Sequence, residues 1–180
     1  MTGLKLSLLG TPIIELDGTP ITIRRSKGLA LLVYLAVSSE PQRRDGLSTL
    51  LWPESSQRVA RSSLRRELSH LKKALVGEWL VVEGETIGLQ PDCWLDVVQF
   101  QHDVSEFDGE NPINLAALHE AVALYRGDFL SGFTLPDCPG FDEWQFFQTE
   151  SGFWGPASFW HYPHALPQRS PFHLHSPLAH

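Results

Sequence analysis

The stretch "RVARSSLRRELSHLKKAL", residues 58–75, gathers six of the fourteen lysines and arginines of a chain whose net charge is −7. Guanidinium groups can grip phosphate, or the O6 and N7 edge of guanine, through paired N–H donors; lysine adds point charge and serine a short polar reach. The chemistry on offer is recognition of a polyanion, not bond making. With about 100° per residue and Leu64 at zero, Leu64, Leu68, Leu71 and Leu75 share a stripe about 60° wide. Arg58, Arg61, Arg65, Arg66, Lys72 and Lys73 occupy a separate arc, from about 60° to 200°, with Ser62 and Ser69 inside it. The helix's one acid, Glu67, projects from the other flank. A merely solvated face would mix Glu with Lys at i, i+4, because like charges at that spacing repel by about 0.2–0.5 kcal/mol per pair. This strip carries no acid along its length, so its counter-charge is expected from a bound nucleic acid.

Other chemistries find little support. The "HEAVA" at residue 119 lacks the second histidine of a zinc-protease helix, and neither a G-x-S-x-G elbow nor a G-x-x-x-x-G-K-[ST] phosphate loop occurs. His119 reads as a helix-surface residue. Cys93 and Cys138 are too few for a disulfide framework and lack zinc-site spacing, so both read as ordinary buried thiols. No enzymatic activity, cofactor or metal is expected. The longest apolar run, "GLALLVYLAV" from Gly28, is about half a bilayer span, and "MTGLKLSLLG" soon meets Glu15 and Asp17 without a cleavage-like site. A soluble cytoplasmic protein with no membrane partner is the expectation.

The elements that must position the basic helix are legible around it. Residues 1–90 carry +3 and residues 91–180 carry −10, so a basic half is joined to an acidic one. "LKLSLLG", "PIIELDG" and "PITIRR" alternate with period two, and Asp17-Gly18 fits a tight turn, which predicts a small antiparallel sheet. "SKGLALLVYLAVSSE" predicts a helix with Ser26 as N-cap. "RRDGLSTLLWPE" predicts a brief second helix ended by Pro53, and Ser55 or Ser56 is placed to cap the basic third helix. "WLVVEGETIGLQ" alternates on both sides of Glu83-Gly84-Glu85, as a hairpin would. This order describes an α+β winged helix-turn-helix, in which the third helix enters the major groove of DNA. Arg24, Arg25 and Lys27, ahead of the first helix, add candidate backbone contacts, although a solvated loop explains them equally well. Glu83 and Glu85 at the wing tip would repel phosphate, so the wing is not nominated.

"KGLALLVYLA", "LSTLLWPE", "ARSSLRRELSHLKKAL", "DCWLDVVQF", "ALYRGDFLSGF" and "FDEWQFFQTE", in this order, resemble the SARP-type bacterial regulators from about Leu4 to Glu150. These join an OmpR-like winged helix to a bacterial transcriptional activation domain. The resemblance implies a DNA-binding domain over residues 1–92 and a partial, tetratricopeptide-like helical activation domain over 93–150. It further implies a transcription factor that binds direct repeats in double-stranded promoter DNA as a homodimer and contacts RNA polymerase.

In the acidic half, Val97, Phe100, Val104 and Phe107 keep a helical spacing, with Asp96 placed to cap the helix. Asn111 and Pro112 open a second helix with Leu115, Leu118, Val122 and Tyr125 as its stripe and Gly127 as its end. "GFDEWQFFQTE" opens a third. Stacked helical pairs bury their faces only against neighbours, so Trp144, Phe146 and Phe147 are expected to stay exposed and limit solubility. Residues 151–180, "SGFWGPASFWHYPHALPQRSPFHLHSPLAH", hold no acid but many prolines, histidines and aromatics, and read as a disordered or non-native tail, as a frameshift or misjudged coding end would leave. A metal-binding tail built on His161, His164, His173 and His175 is the weaker alternative. The overall expectation is a sequence-specific DNA-binding regulator truncated in its activation domain. The other reading is a protein-interaction module with an inactive winged helix.

Overall fold

Leu4 and Leu6 alternate with Lys5 and Ser7, and strand β1 (Leu4–Ser7) turns both leucines into the core. Strands β2 (Ile13–Leu16) and β3 (Thr19–Ile21) follow antiparallel, with Leu6 opposite Ile14 and Ile14 opposite Ile21. Asp17 and Gly18 both take left-handed backbone angles, φ 52° and 78°, which suits the twist of a two-residue hairpin turn. The computed structural model of the protein describes residues 3–38, 40–76, 79–105 and 112–150. Phe107, Asn111, the tail 151–180 and its histidines lie outside the described residues, as does the side chain of Leu115.

Helix α1 (Ser26–Ser38) is apolar nearly all round and is buried accordingly, through Ala30, Leu31, Leu32, Val33 and Leu35. The Arg25 carbonyl accepts the Leu29 N–H, so Arg25 holds the N-cap position and Ser26 is already helical. A two-residue strand, β4 (Gln42–Arg43), leads into α2 (Arg44–Leu51), which stops at Trp52 ahead of Pro53. Helix α3 (Gln57–Ala74) starts after Ser56, but no serine side chain caps it; the Ser56 carbonyl accepts the Ala60 N–H instead. Strands β5 (Leu80–Glu83) and β6 (Thr86–Leu89) form the expected hairpin around Gly84, whose φ of 57° favours glycine. Strand β4 pairs with β6 and so ties the start of α2 to the hairpin.

The sequence patterns did not reveal how the chain then returns to its beginning. Strand β7 (Trp94–Leu95) pairs parallel with β1, Lys5 opposite Trp94, giving a sheet ordered β3-β2-β1-β7. Lys5 bridges Glu15 at 3.5 Å and lies 4.7 Å from the centre of the Trp94 ring. Helix α4 (Asp96–Ser105) opens with Asp96, whose buried carboxylate accepts the N–H groups of Leu8 at 2.7 Å and Leu9 at 2.9 Å. Helix α4 packs on α5 (Pro112–Leu124), and α6 (Pro139–Glu150) packs on α2. One hydrophobic core joins β1, α1, α2 and α3 to Val97, Phe129, Leu135 and Phe141. Phe146 and Phe147 are exposed as expected, whereas Trp144 is half-buried, because its ring packs 4.9 Å from Tyr34 and 5.2 Å from Phe141. Among the described residues, no helix is long and apolar enough to cross a membrane.

Candidate nucleic-acid interface

The leucine stripe of α3 is fully accounted for: Leu64, Leu68 and Leu71, with Ala60 before them and Leu75 after, are buried against α1 and α2. Helical geometry then forces the arc beyond the stripe outward, and Arg58, Arg61, Ser62, Arg65, Arg66, Ser69, Lys72 and Lys73 are all exposed. Arg58, Arg65, Arg66, Lys72 and Lys73 have no carboxylate within salt-bridge distance among the described residues. Arg66 donates to the Ser63 hydroxyl at 3.1 Å, an attachment to its own helix that leaves its charge uncompensated.

Arg61 differs, and here the expectation of an arc free of acidic neighbours is corrected. Asp45, in the first turn of α2, accepts Arg61 Nε at 2.6 Å and Nη2 at 2.8 Å, a two-pronged pair, and accepts Gln57 Nε2 at 2.7 Å as well. The Arg61 guanidinium holds the Asp45 carboxyl below its ordinary range, and Asp45 in return raises Arg61. Arg61 lies at the edge of the arc closest to the leucine stripe, so packing α3 on α2 brings it to the neighbouring helix. The partner is sixteen positions away in sequence, and a search confined to i±4 on one helix misses it. An acid in the first turn of the preceding helix was the available signal.

The residues ahead of α1 divide in the same way. Arg24 is exposed, while Arg25 pairs with Glu67, whose side chain is only 8% exposed. Glu67 sits on the flank opposite the basic arc, and it is buried against α1 so closely that a Cβ on Gly28 would come 3.2 Å from its Oε2. Lys27 is turned inward, donating to the Leu51 carbonyl at 2.6 Å and lying 5.3 Å from the Trp52 ring centre. Lys27 therefore links α1 to the end of α2, and its ammonium is committed there. Arg24 and Arg25 border a cleft with His70 and Lys73, which places the loop before α1 beside the carboxyl-terminal part of the basic arc. At the hairpin tip Glu83 and Glu85 are exposed, and Glu85 is near enough to Arg61 to favour its charged form. Cys93 is half-buried, with burial pushing its thiol up to about 12, and buried Cys138 lies with its Sγ 3.2 Å from the Leu51 carbonyl.

No protein-family profile matches the chain. Among curated proteins, it is 30% identical over 121 residues, 67% of its length, to the transcriptional regulatory protein EmbR of Mycobacterium tuberculosis and of Mycobacterium bovis. It spans 30% of the length of those relatives. Among solved structures, it is similar to Mycobacterium tuberculosis EmbR in complex with a low-affinity phosphopeptide, with a TM-score of 0.67 and 26% identity. That likeness covers 84% of this chain and 43% of the other.

Proposed function

We propose that the chain is a sequence-specific DNA-binding transcriptional regulator. In this reading residues 1–92 form a winged helix-turn-helix with α3 as the recognition helix and β5–β6 as the wing. Residues 93–150 form part of a helical activation domain. One observation carries the proposal: five cations and two serines share the outward face of a helix whose inward face is fixed by buried leucines, and no carboxylate among the described residues balances those cations. An exposed arc of uncompensated charge on a rigid cylinder matches what a phosphate-lined major groove requires. Similarity to a transcriptional regulatory protein supports the same assignment. Arg58, Arg65, Arg66, Lys72, Lys73 and Arg24 supply charge to the backbone, Ser62 and Ser69 reach phosphate or base edges, and Arg61 faces the bases. Lys27 acts as a structural residue beneath that surface, while Arg25, exposed beside Lys73, anchors the buried Glu67. Two copies on direct repeats, with RNA polymerase as the protein partner, complete the assignment.

The test is selection of genomic DNA fragments by the purified full chain, repeated with Arg58→Ala/Arg65→Ala. The wild-type chain should enrich a discrete set of promoter-proximal fragments, and the double variant should lose that enrichment. Enrichment unchanged by the double substitution would remove Arg58 and Arg65 as DNA contacts, and enrichment absent from the wild type would remove the DNA-binding reading itself.

A further inference from the structure

A bidentate carboxylate makes Arg61 the least suited of the α3 cations to hold phosphate, and the same contact suits it to another task. An arginine offers five N–H donors in a rigid plane. Asp45 takes the Nε hydrogen and one Nη2 hydrogen, leaving the second Nη2 hydrogen and the pair on Nη1 along the outer edge of the guanidinium. That edge presents two parallel donors, the pattern that matches guanine O6 and N7. Neutralised by Asp45, Arg61 gains little from a charged phosphate. A base edge is uncharged, so the pairing costs little there. The side chain is 49% exposed and pinned at two atoms, which lowers the rotamer entropy that a long free arginine loses on binding. Gln57 holds Asp45 from a second direction, so the carboxylate is itself oriented.

We infer that Asp45 is a specificity-determining residue: it buttresses Arg61 from α2 so that Arg61 reads one guanine per half-site, while the unpaired cations of α3 hold the backbone. This inference rests on the DNA-binding reading of α3 and assigns roles within it. Asp45 also places negative charge beside the reading edge, which disfavours a mispositioned phosphate at that point.

The experiment takes the best duplex selected by the wild-type full chain and measures equilibrium binding to it, to versions with each guanine replaced, and to random duplex. The proteins compared are wild type, Asp45→Ala, Asp45→Asn and Arg61→Ala. One guanine should carry a discrimination of about 5- to 150-fold that Arg61→Ala abolishes. Both Asp45 variants should shrink discrimination at that same guanine by about fivefold or more, while binding to random duplex holds or strengthens as an acid is removed. Asp45 variants that retain or sharpen that discrimination would overturn the inference, because Asp45 would then be competing with DNA for Arg61. Discrimination lost with Arg58 or Arg65 instead would also overturn it. A wild-type chain with no preferred duplex would defeat the DNA-binding reading itself, and that result is visible before any variant is compared.

Discussion

The division of the α3 cations into paired and unpaired predicts a particular salt dependence. Five of them, Arg58, Arg65, Arg66, Lys72 and Lys73, face solvent without a carboxylate partner among the described residues, whereas Arg61 is matched by Asp45. If each unpaired cation neutralises one phosphate, log K should fall against log[salt] with a slope of about −4.5, so affinity drops about 500-fold between 50 and 200 mM salt. Removing Arg65 should reduce the slope to about −3.6, and removing Arg58 as well to about −2.7. Arg61→Ala should weaken binding to the selected site while reducing the slope less than Arg65→Ala does, because Arg61 is matched by Asp45 and not by a phosphate. Asp45→Ala should steepen the slope to about −5.4, since a freed Arg61 becomes a sixth phosphate ligand. Fluorescence anisotropy of a labelled duplex titrated across a salt series measures all of these. A wild-type slope near −1 would refute the assignment of α3 to the backbone. An Arg61 variant losing as much slope as the Arg65 variant would show that the Asp45 pair opens on DNA.

Two further outcomes concern the framework behind that surface. Arg25→Ala leaves the buried Glu67 carboxylate without its cation and should cost about 1–2 kcal/mol in urea denaturation, less than the ~3–5 kcal/mol of a fully buried pair because Arg25 is itself more than half exposed. Arg25→Ala/Glu67→Leu should recover most of that loss, and an unchanged denaturation midpoint for the single variant would contradict the role given to the pair. At Asp96, burial raises the carboxyl above its ordinary 3.8, outweighing the Leu8 and Leu9 amides and Arg126 that pull it down. The folded chain then binds this proton more tightly than the unfolded chain. Its contribution to stability is therefore greatest below pH 3.8 and declines as pH climbs through the raised folded value. Stability of the wild type relative to Asp96→Asn should fall across that interval, and a difference that stays flat or rises would show that the amides outweigh burial.

The parts of this arrangement visible in the sequence are those that repeat over short distances. Leu64, Leu68, Leu71 and Leu75 announce their shared face through spacing alone, and Asp17-Gly18 and the residues around Gly84 announce turns through backbone freedom. Lys5 and Trp94 carry no such signal: a two-residue parallel pairing joins segments 89 positions apart, and no local pattern encodes it. Asp45 and Glu67 were hidden for a related reason. Each partner of a cation lies on another element, and which acid meets which arginine depends on how α1 and α2 pack against α3. The α3 members of the two pairs, Arg61 and Glu67, stand at or beside the borders of the leucine stripe, where a helix surface meets its neighbours. Arg58 and Arg65, nearer the middle of the arc, meet no carboxylate within salt-bridge distance among the described residues. Trp144 follows the same logic in reverse, for its helical repeat suggests an unfinished face, yet Tyr34 from α1 covers it.

Asp96 fastens the first residue of α4 to the main chain just past β1, and β7 lies in the sheet immediately before it. The junction between the basic and acidic halves therefore offers no hinge at the place where their charge changes sign. A protein seated on DNA through α3 would carry α6 at a set bearing and height above the duplex, like an arm welded to its clamp. Whatever binds that arm would feel the helical phase of the site beneath it, so shifting a target by half a turn should turn the arm to the opposite side of the double helix.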